Sequence, residues 1–104
     1  MVVETSKSPQ ALEEQQIAKV YKALGEPNRL RIARLLAGSD EVGCTELAER
    51  IGLSRPTLSH HTSVLMQSGL VEVRKEGKSH YFRLRRDIVE RYAPAVLSAT
   101  ANNR

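Results

Sequence analysis

Ser54-Arg55-Pro56-Thr57-Leu58-Ser59-His60-His61-Thr62-Ser63-Val64-Leu65-Met66-Gln67-Ser68-Gly69 is the stretch on which the reading of this chain turns. Ser54 is a helix-capping residue, Arg55 to Ser68 is helix-compatible, and Gly69 is a terminator. Leu58, Thr62 and Leu65 recur at helical spacing and form an inward stripe, whereas Arg55, Pro56, Ser59, His60 and Ser63 face elsewhere. The outward face is short, polar and free of carboxylates. The DNA major groove accepts such a face, because phosphates flank it and short Ser, Thr, His and Arg side chains reach base edges. Polar helix faces are also the rule on any solvated surface, so the neighbouring sequence decides between the two readings.

Just upstream, Thr45-Glu46-Leu47-Ala48-Glu49-Arg50-Ile51-Gly52 reads as a helix of about two turns. Thr45 is its expected cap, Glu46 and Glu49 favour its positive start, and Gly52 ends it. One residue, Leu53, then separates it from Ser54, which is the spacing of a helix-turn-helix. Downstream of Gly69 the periodicity changes to two. Val71 and Val73 alternate with Glu72 and Arg74, Lys75-Glu76-Gly77-Lys78 forms a polar turn, and Phe82 and Leu84 alternate with Tyr81, Arg83 and Arg85. That is a β-hairpin with basic residues near its tip. The expected fold is therefore mainly α with one β-hairpin, a winged helix-turn-helix. Its second helix would enter the major groove while the wing reaches flanking phosphates or the minor groove.

Two helices precede this unit. Ser8-Pro9 starts the first, whose apolar residues are Ile17, Val20, Tyr21 and Leu24, and Gly25 ends it. Pro27 opens the second, with Leu30, Ile32, Ala33, Leu35 and Leu36 on a wide buried face, Arg29, Arg31 and Arg34 outside, and Gly38 as the stop. Ser39 to Gly43 reads as a loop. A last helix starts at the capping-box-like Asp87-x-x-Glu90 and carries Ile88, Val89, Tyr92, Val96 and Ala99 on one face, with Pro94 expected to kink or interrupt it. The expected organisation is a flexible tail at 1–10, one domain at 11–101 and a short tail at 102–104.

At 104 residues, 40% hydrophobic and 27% charged, the chain fits one soluble globular domain and leaves no room for a separate catalytic one. No apolar run approaches the roughly 20 residues that span a bilayer, and no secretory signal opens the chain, so the cytoplasm is the expected compartment. The net charge of +4 is unevenly spread. Residues 1–52 hold seven basic and eight acidic side chains, and residues 53–104 hold nine and four. A basic half with a sequence pI near 9.6 suits double-stranded DNA. Enzyme signatures are missing: there is no phosphate-binding Gly-rich loop ending in Lys-Ser/Thr and no G-x-S-x-G elbow, and Ser59 and His60 diverge on a helix without an orienting acid. A winged helix used for protein docking would carry an apolar recognition face, against which Ser59, His60 and Ser63 argue.

Tyr21-Lys22-Ala23-Leu24-Gly25-Glu26-Pro27-Asn28-Arg29-Leu30-Arg31-Ile32, the stretch Ser54 to His61, and Gly69-Leu70-Val71 followed by Arg74 to Phe82 together resemble the ArsR/SmtB family of bacterial repressors. The resemblance implies a homodimer that binds an imperfect operator palindrome and is released by an inducer. It also implies DNA contacts from Arg55, Pro56, Thr57, Ser59 and His60, with Ser54 capping and touching phosphate. Lys75, Lys78 and Arg74 are phosphate candidates on the wing. His61, nearer the core stripe, is expected to pack rather than read a base. Dimerisation is expected through the first and last helices by Ile17, Val20, Tyr21, Tyr92, Val96 and Ala99.

This chain departs from the family at its metal sites. Where family members carry Glu-Leu-Cys-Val-Cys-Asp-Leu, it reads Glu41-Val42-Gly43-Cys44-Thr45-Glu46-Leu47, so Gly43 and Thr45 stand at both cysteine positions. One thiol cannot build a soft-metal site. The family's other site, an Asp-x-His and a distant His on the last helix, is also unsupported, because no histidine follows His80 and Asp87 has no partner. Neither metal nor cofactor is expected. Cys44 is then either a redox handle that triggers release or a small buried apolar residue.

Overall fold

The computed structural model describes residues 8–97. Its elements are α1 (Pro9–Leu24), α2 (Pro27–Ala37), β1 (Val42–Gly43), α3 (Cys44–Ile51), α4 (Arg55–Gln67), β2 (Val71–Glu76), β3 (Ser79–Leu84) and α5 (Arg86–Tyr92). Ser8 caps α1 as expected, its Oγ accepting from the Ala11 N–H at 3.0 Å, so the helix begins at Pro9, two residues inside the tail drawn at 1–10. Glu26 caps α2 by accepting from the Arg29 N–H at 3.0 Å. That hydrogen bond, chiefly, holds the Glu26 carboxyl below its ordinary range. Gly52 ends α3 in the left-handed region at φ +83°, where a side chain would be strained.

Each helix contributes to one core. Val20 from α1, Ile32 and Leu36 from α2, Leu47 from α3, Leu58 and Leu65 from α4 and Val89 from α5 are each at most 1% exposed. Burying a side chain of this size contributes about 1.5–3 kcal/mol. Leu58 and Leu65 matter most for function, because seating them fixes which face of α4 turns outward. Leu65→Ala would cost about 2–5 kcal/mol and loosen that orientation.

The sheet is larger than a hairpin. β1 lies beside β3, with Val42 opposite Phe82 and Gly43 opposite Tyr81, and the strand order is β1-β3-β2. Because Val42–Gly43 is drawn into this pairing, the chain enters α3 from an extended strand. The cap position falls on Gly43, without a side-chain hydrogen bond, rather than on Thr45. A side chain at position 43 would press on the Tyr81 ring, 3.4 Å from an added Cβ. The strands of the wing also run further than the polar turn suggested. Glu76 pairs with Ser79, leaving only Gly77, at φ +61°, and Lys78 to turn the chain.

The last helix differs similarly. The Arg85 N–H still bonds the Leu70 carbonyl at 2.7 Å, so α5 starts directly off the sheet with Arg85 as its cap. Asp87 sits within its first turn, gripped by the Arg85 guanidinium at 3.1 and 2.9 Å. α5 ends at Tyr92, and residues 95–97 are helical again beyond Pro94, so the proline interrupts rather than bends the helix. Val20 and Val96, expected at a dimer face, are 0% and 4% exposed within the single chain, because both complete its own core. Ile17 and Tyr92 are half-buried, and Tyr21 is 55% exposed. Leu12, 54% exposed on α1, was not anticipated. Ala99 and residues 102–104 lie outside the described residues.

Candidate nucleic-acid interface

Ser54 starts α4 by accepting from the Thr57 N–H at 3.4 Å and donating to the Thr57 hydroxyl at 3.0 Å. Leu58, His61, Thr62 and Leu65 bury one side of the helix. Arg55, Pro56, Thr57, Ser59 and His60 are all exposed on the other, gathered in its first two turns, with Ser63 half-buried behind them. No carboxylate occurs on α4. Arg55 leans back toward α3, its Nη1 donating to the Thr45 hydroxyl at 3.4 Å. There the start of α3, the start of α4 and the wing converge around a cleft of about 270 Å³ lined by Cys44, Thr45, Glu46, Arg55, Lys78, Ser79, His80 and Tyr81, with Gly43 at its back.

Among the described residues, most of the basic side chains of the second half already have partners within the fold. Arg83 pairs with Glu72 at 2.6 Å, Arg85 with Asp87, and Arg91 with Glu13 at 3.2 Å. Arg86 donates to the Ala37 carbonyl at the end of α2. Arg74, expected to meet phosphate, is committed as well. Its Nε and Nη2 grip both oxygens of Glu41 at 2.9 and 2.8 Å, its Nη1 donates to Glu76 at 2.6 Å, and its guanidinium lies 4.6 Å from the Tyr81 ring centroid. The hydrogen bonds from Arg74 hold the Glu41 carboxyl below its usual range. By accepting them, Glu41 and then Glu76 push the Arg74 guanidinium further up. Arg74 is thus a strut between the wing and the segment before β1. Among the described residues no carboxylate pairs with Arg55, Lys75 or Lys78, and these three surround the exposed face of α4 and the wing tip.

His61 packs, as its place beside the core stripe suggested, and is 8% exposed. Its Nδ1 lies 3.4 Å from Nη1 of Arg29 and 3.9 Å from Oε1 of Glu26. Arg29 was expected on the solvent-facing side of α2. Instead it reaches across three helices, with Nε donating to the Ala23 carbonyl at 2.6 Å and Nη2 approaching the Lys22 carbonyl at 3.5 Å. Its stem is on α2, its acceptors end α1, and its third partner is on α4. Two further ties escaped the sequence reading: the Gln16 amide donates to the Ser68 carbonyl at 2.9 Å, and the Tyr21 hydroxyl to the Tyr92 carbonyl at 2.6 Å. Cys44 is a free, half-buried thiol at the first position of α3. Among the described residues no cluster of three His, Cys, Asp or Glu side chains is arranged to hold a metal.

Residues 24–74 match a family described as a helix-turn-helix domain. The arsenical resistance operon repressor of Staphylococcus xylosus is 35% identical over 75 residues, covering 72% of this chain and 71% of that protein. An uncharacterised helix-turn-helix transcriptional regulator of Bacillus subtilis is 35% identical over 81 residues, covering 77% and 81%. Among solved structures, a homodimeric winged helix-turn-helix DNA-binding domain from Mycobacterium bovis, described as a possible ArsR-family transcriptional regulator, superposes with a TM-score of 0.78 and 32% identity over 93% of this chain and 90% of that one.

Proposed function

The chain belongs to the ArsR family of winged helix-turn-helix transcriptional regulators, and from that premise we propose that it is a homodimeric repressor reading a palindromic operator. One observation carries this reading: a carboxylate-free, exposed helix face bordered by Arg55, Lys75 and Lys78, none of which pairs with a carboxylate among the described residues. Ser59 and His60 read base edges in the major groove, with Thr57 and Pro56 beside them. Ser54, Arg55, Lys75 and Lys78 hold phosphates, which positions the helix without specifying sequence. Arg74 holds the wing in place rather than phosphate. The dimer joins α1 and α5 through Ile17, Tyr21 and Tyr92, so that two recognition helices meet half-sites about 34 Å apart. A protein bound to chromosomal operators works in the cytoplasm.

The test is selection from a random duplex pool at two salt concentrations, with the oligomer sized by light scattering. A palindrome enriched by a dimer with steep salt dependence supports the reading. A monomer that enriches nothing refutes it and favours a protein-docking domain. His60→Ala should relax sequence preference, and an equal loss on every sequence would remove its base-reading role. A second reading concerns the trigger. Cys44 opens on the cleft that Arg55 and Lys78 border, so oxidation of its sulfur by a peroxide would introduce a polar or anionic group where phosphate is to sit. An unchanged peroxide response in Cys44→Ser would remove it.

A further inference from the structure

A groove of about 420 Å³ runs between α1 and α4, within the range of small-molecule sites. Lys19, Lys22, Arg29 and His60 line it, Ala23 and Val64 supply apolar surface, and among the described residues no carboxylate borders it. Among the described residues neither lysine has an ion-pair partner. This combination is selective by chemistry. A hydrated inorganic anion would satisfy the lysines but leave Ala23 and Val64 uncovered. A neutral apolar molecule would cover them while displacing water from cations it cannot pair. A molecule with an apolar body and one carboxylate does both. The groove also stays clear of the proposed dimer face, since Lys19 and Tyr21, two residues apart on α1, point about 200° from each other.

We propose that this groove binds an amphipathic organic carboxylate, and that its occupant competes with DNA for His60. The second half rests on the operator-binding reading above, because His60 is there a base reader. No conformational relay is required. A ligand that engages His60 binds only the DNA-free protein, so at about ten times its dissociation constant it weakens operator binding about tenfold per protomer.

The experiment titrates the ¹⁵N-labelled full chain, without DNA, with octanoate, benzoate and 2-naphthoate, each beside its uncharged primary amide. The carboxylates are expected to shift the resonances of Lys19, Lys22, His60 and Val64, and the amides to bind about tenfold more weakly, the factor that two or three partly exposed charge pairs supply. Lys19→Ala/Lys22→Ala, both at exposed helix positions, should abolish the shifts, keep the dispersed spectrum of a folded chain, and hold operator affinity within about twofold of the parent. Carboxylates that leave the groove resonances unmoved, or amides that bind equally well, overturn the proposal. So does a double variant that loses operator affinity and about two units of salt slope, which would make the lysines phosphate contacts. Because the site is read without DNA, a chain that binds the carboxylates but enriches no duplex would sink the operator reading while upholding the site.

Discussion

Replacing Arg29 by methionine should lower stability substantially although Arg29, in the first turn of α2, is only partly buried. Methionine keeps most of the aliphatic stem and removes every donor. What is lost is the 2.6 Å bond from Nε to the Ala23 carbonyl, together with weaker contacts to the Lys22 carbonyl and His61 at 3.5 and 3.4 Å. A hydrogen bond from a charged donor contributes about 1.5–3 kcal/mol. With the two longer contacts adding little, about 2 kcal/mol is the expected loss. For a domain of this size that lowers the melting temperature by about 8–16 °C. The assay is thermal unfolding followed by circular dichroism at one fixed protein concentration, since the proposed dimer would make stability concentration-dependent. Arg29→Lys should fall between parent and Arg29→Met, because a point-charge ammonium cannot serve acceptors on two helices at once. A change under about 3 °C in Arg29→Met would show that water satisfies the carbonyls at the end of α1 and that the cross-helix clamp is idle.

Lys78→Ala should weaken binding on all duplexes and reduce the salt slope by about one unit, whereas Arg74→Ala should weaken binding with the slope unchanged, because its charge is already neutralised by Glu41 and Glu76; equal slopes for the two variants, read from titrations at several salt concentrations, would contradict the strut. Glu26, Glu41 and Asp87 are each held below the ordinary carboxylate range, chiefly by hydrogen bonds from Arg29, Arg74 and Arg85 respectively. Their contribution is therefore present above the unfolded value near pH 4 and is lost as pH falls through the lower folded values. Melting temperature should drop in acid below about pH 4, less steeply in Glu41→Gln, and superimposable acid curves would rule that out. Gly52→Ala meets no atom within 4 Å, so its cost is backbone strain alone, about 1–2 kcal/mol by chemical denaturation; a neutral result would mean that the turn relaxes out of the left-handed region.

Local signals made much of this molecule legible. Ser8-Pro9, Pro27, Gly52 and Ser54 each mark a helix boundary through chemistry confined to a few neighbouring residues, and the switch from Leu58, Thr62 and Leu65 to Val71 and Val73 marks helix giving way to strand. What escaped depends on partners distant in sequence. Nothing around Val42-Gly43 announces a strand, because two residues become one only when Phe82 and Tyr81 lie alongside. The fate of Arg74 was hidden for the same reason, since Glu41 is 33 residues away. Arg29 looked solvated because helical periodicity assigns a face to a side chain but not the reach of a guanidinium. Val20 and Val96 were read as part of a dimer face, yet both are buried in the core of their own chain. Whether such residues meet their own chain or a second copy is a matter of tertiary packing that spacing cannot resolve. At the candidate interface the exposed residues of α4 were legible one by one, while the shortlist of available cations required knowing which arginines the carboxylates had already taken.

The placement of β3 between β1 and β2 has a practical meaning for redesign. With one neighbour fastened to the helix-turn-helix through Val42–Gly43 and the other continuing from α4, the sheet is held along both flanks, and the Gly77–Lys78 end alone projects beyond them. That end behaves as an exchangeable cassette. Its length and charge can be altered while the pairings of Phe82 with Val42 and Val73 preserve the frame behind it, and doubling the length of a loop costs only about 0.6 kcal/mol in closure entropy. Under the operator reading proposed above, a family of transplanted tips on this scaffold would vary the phosphate contacts of the wing independently of the helix that meets each half-site.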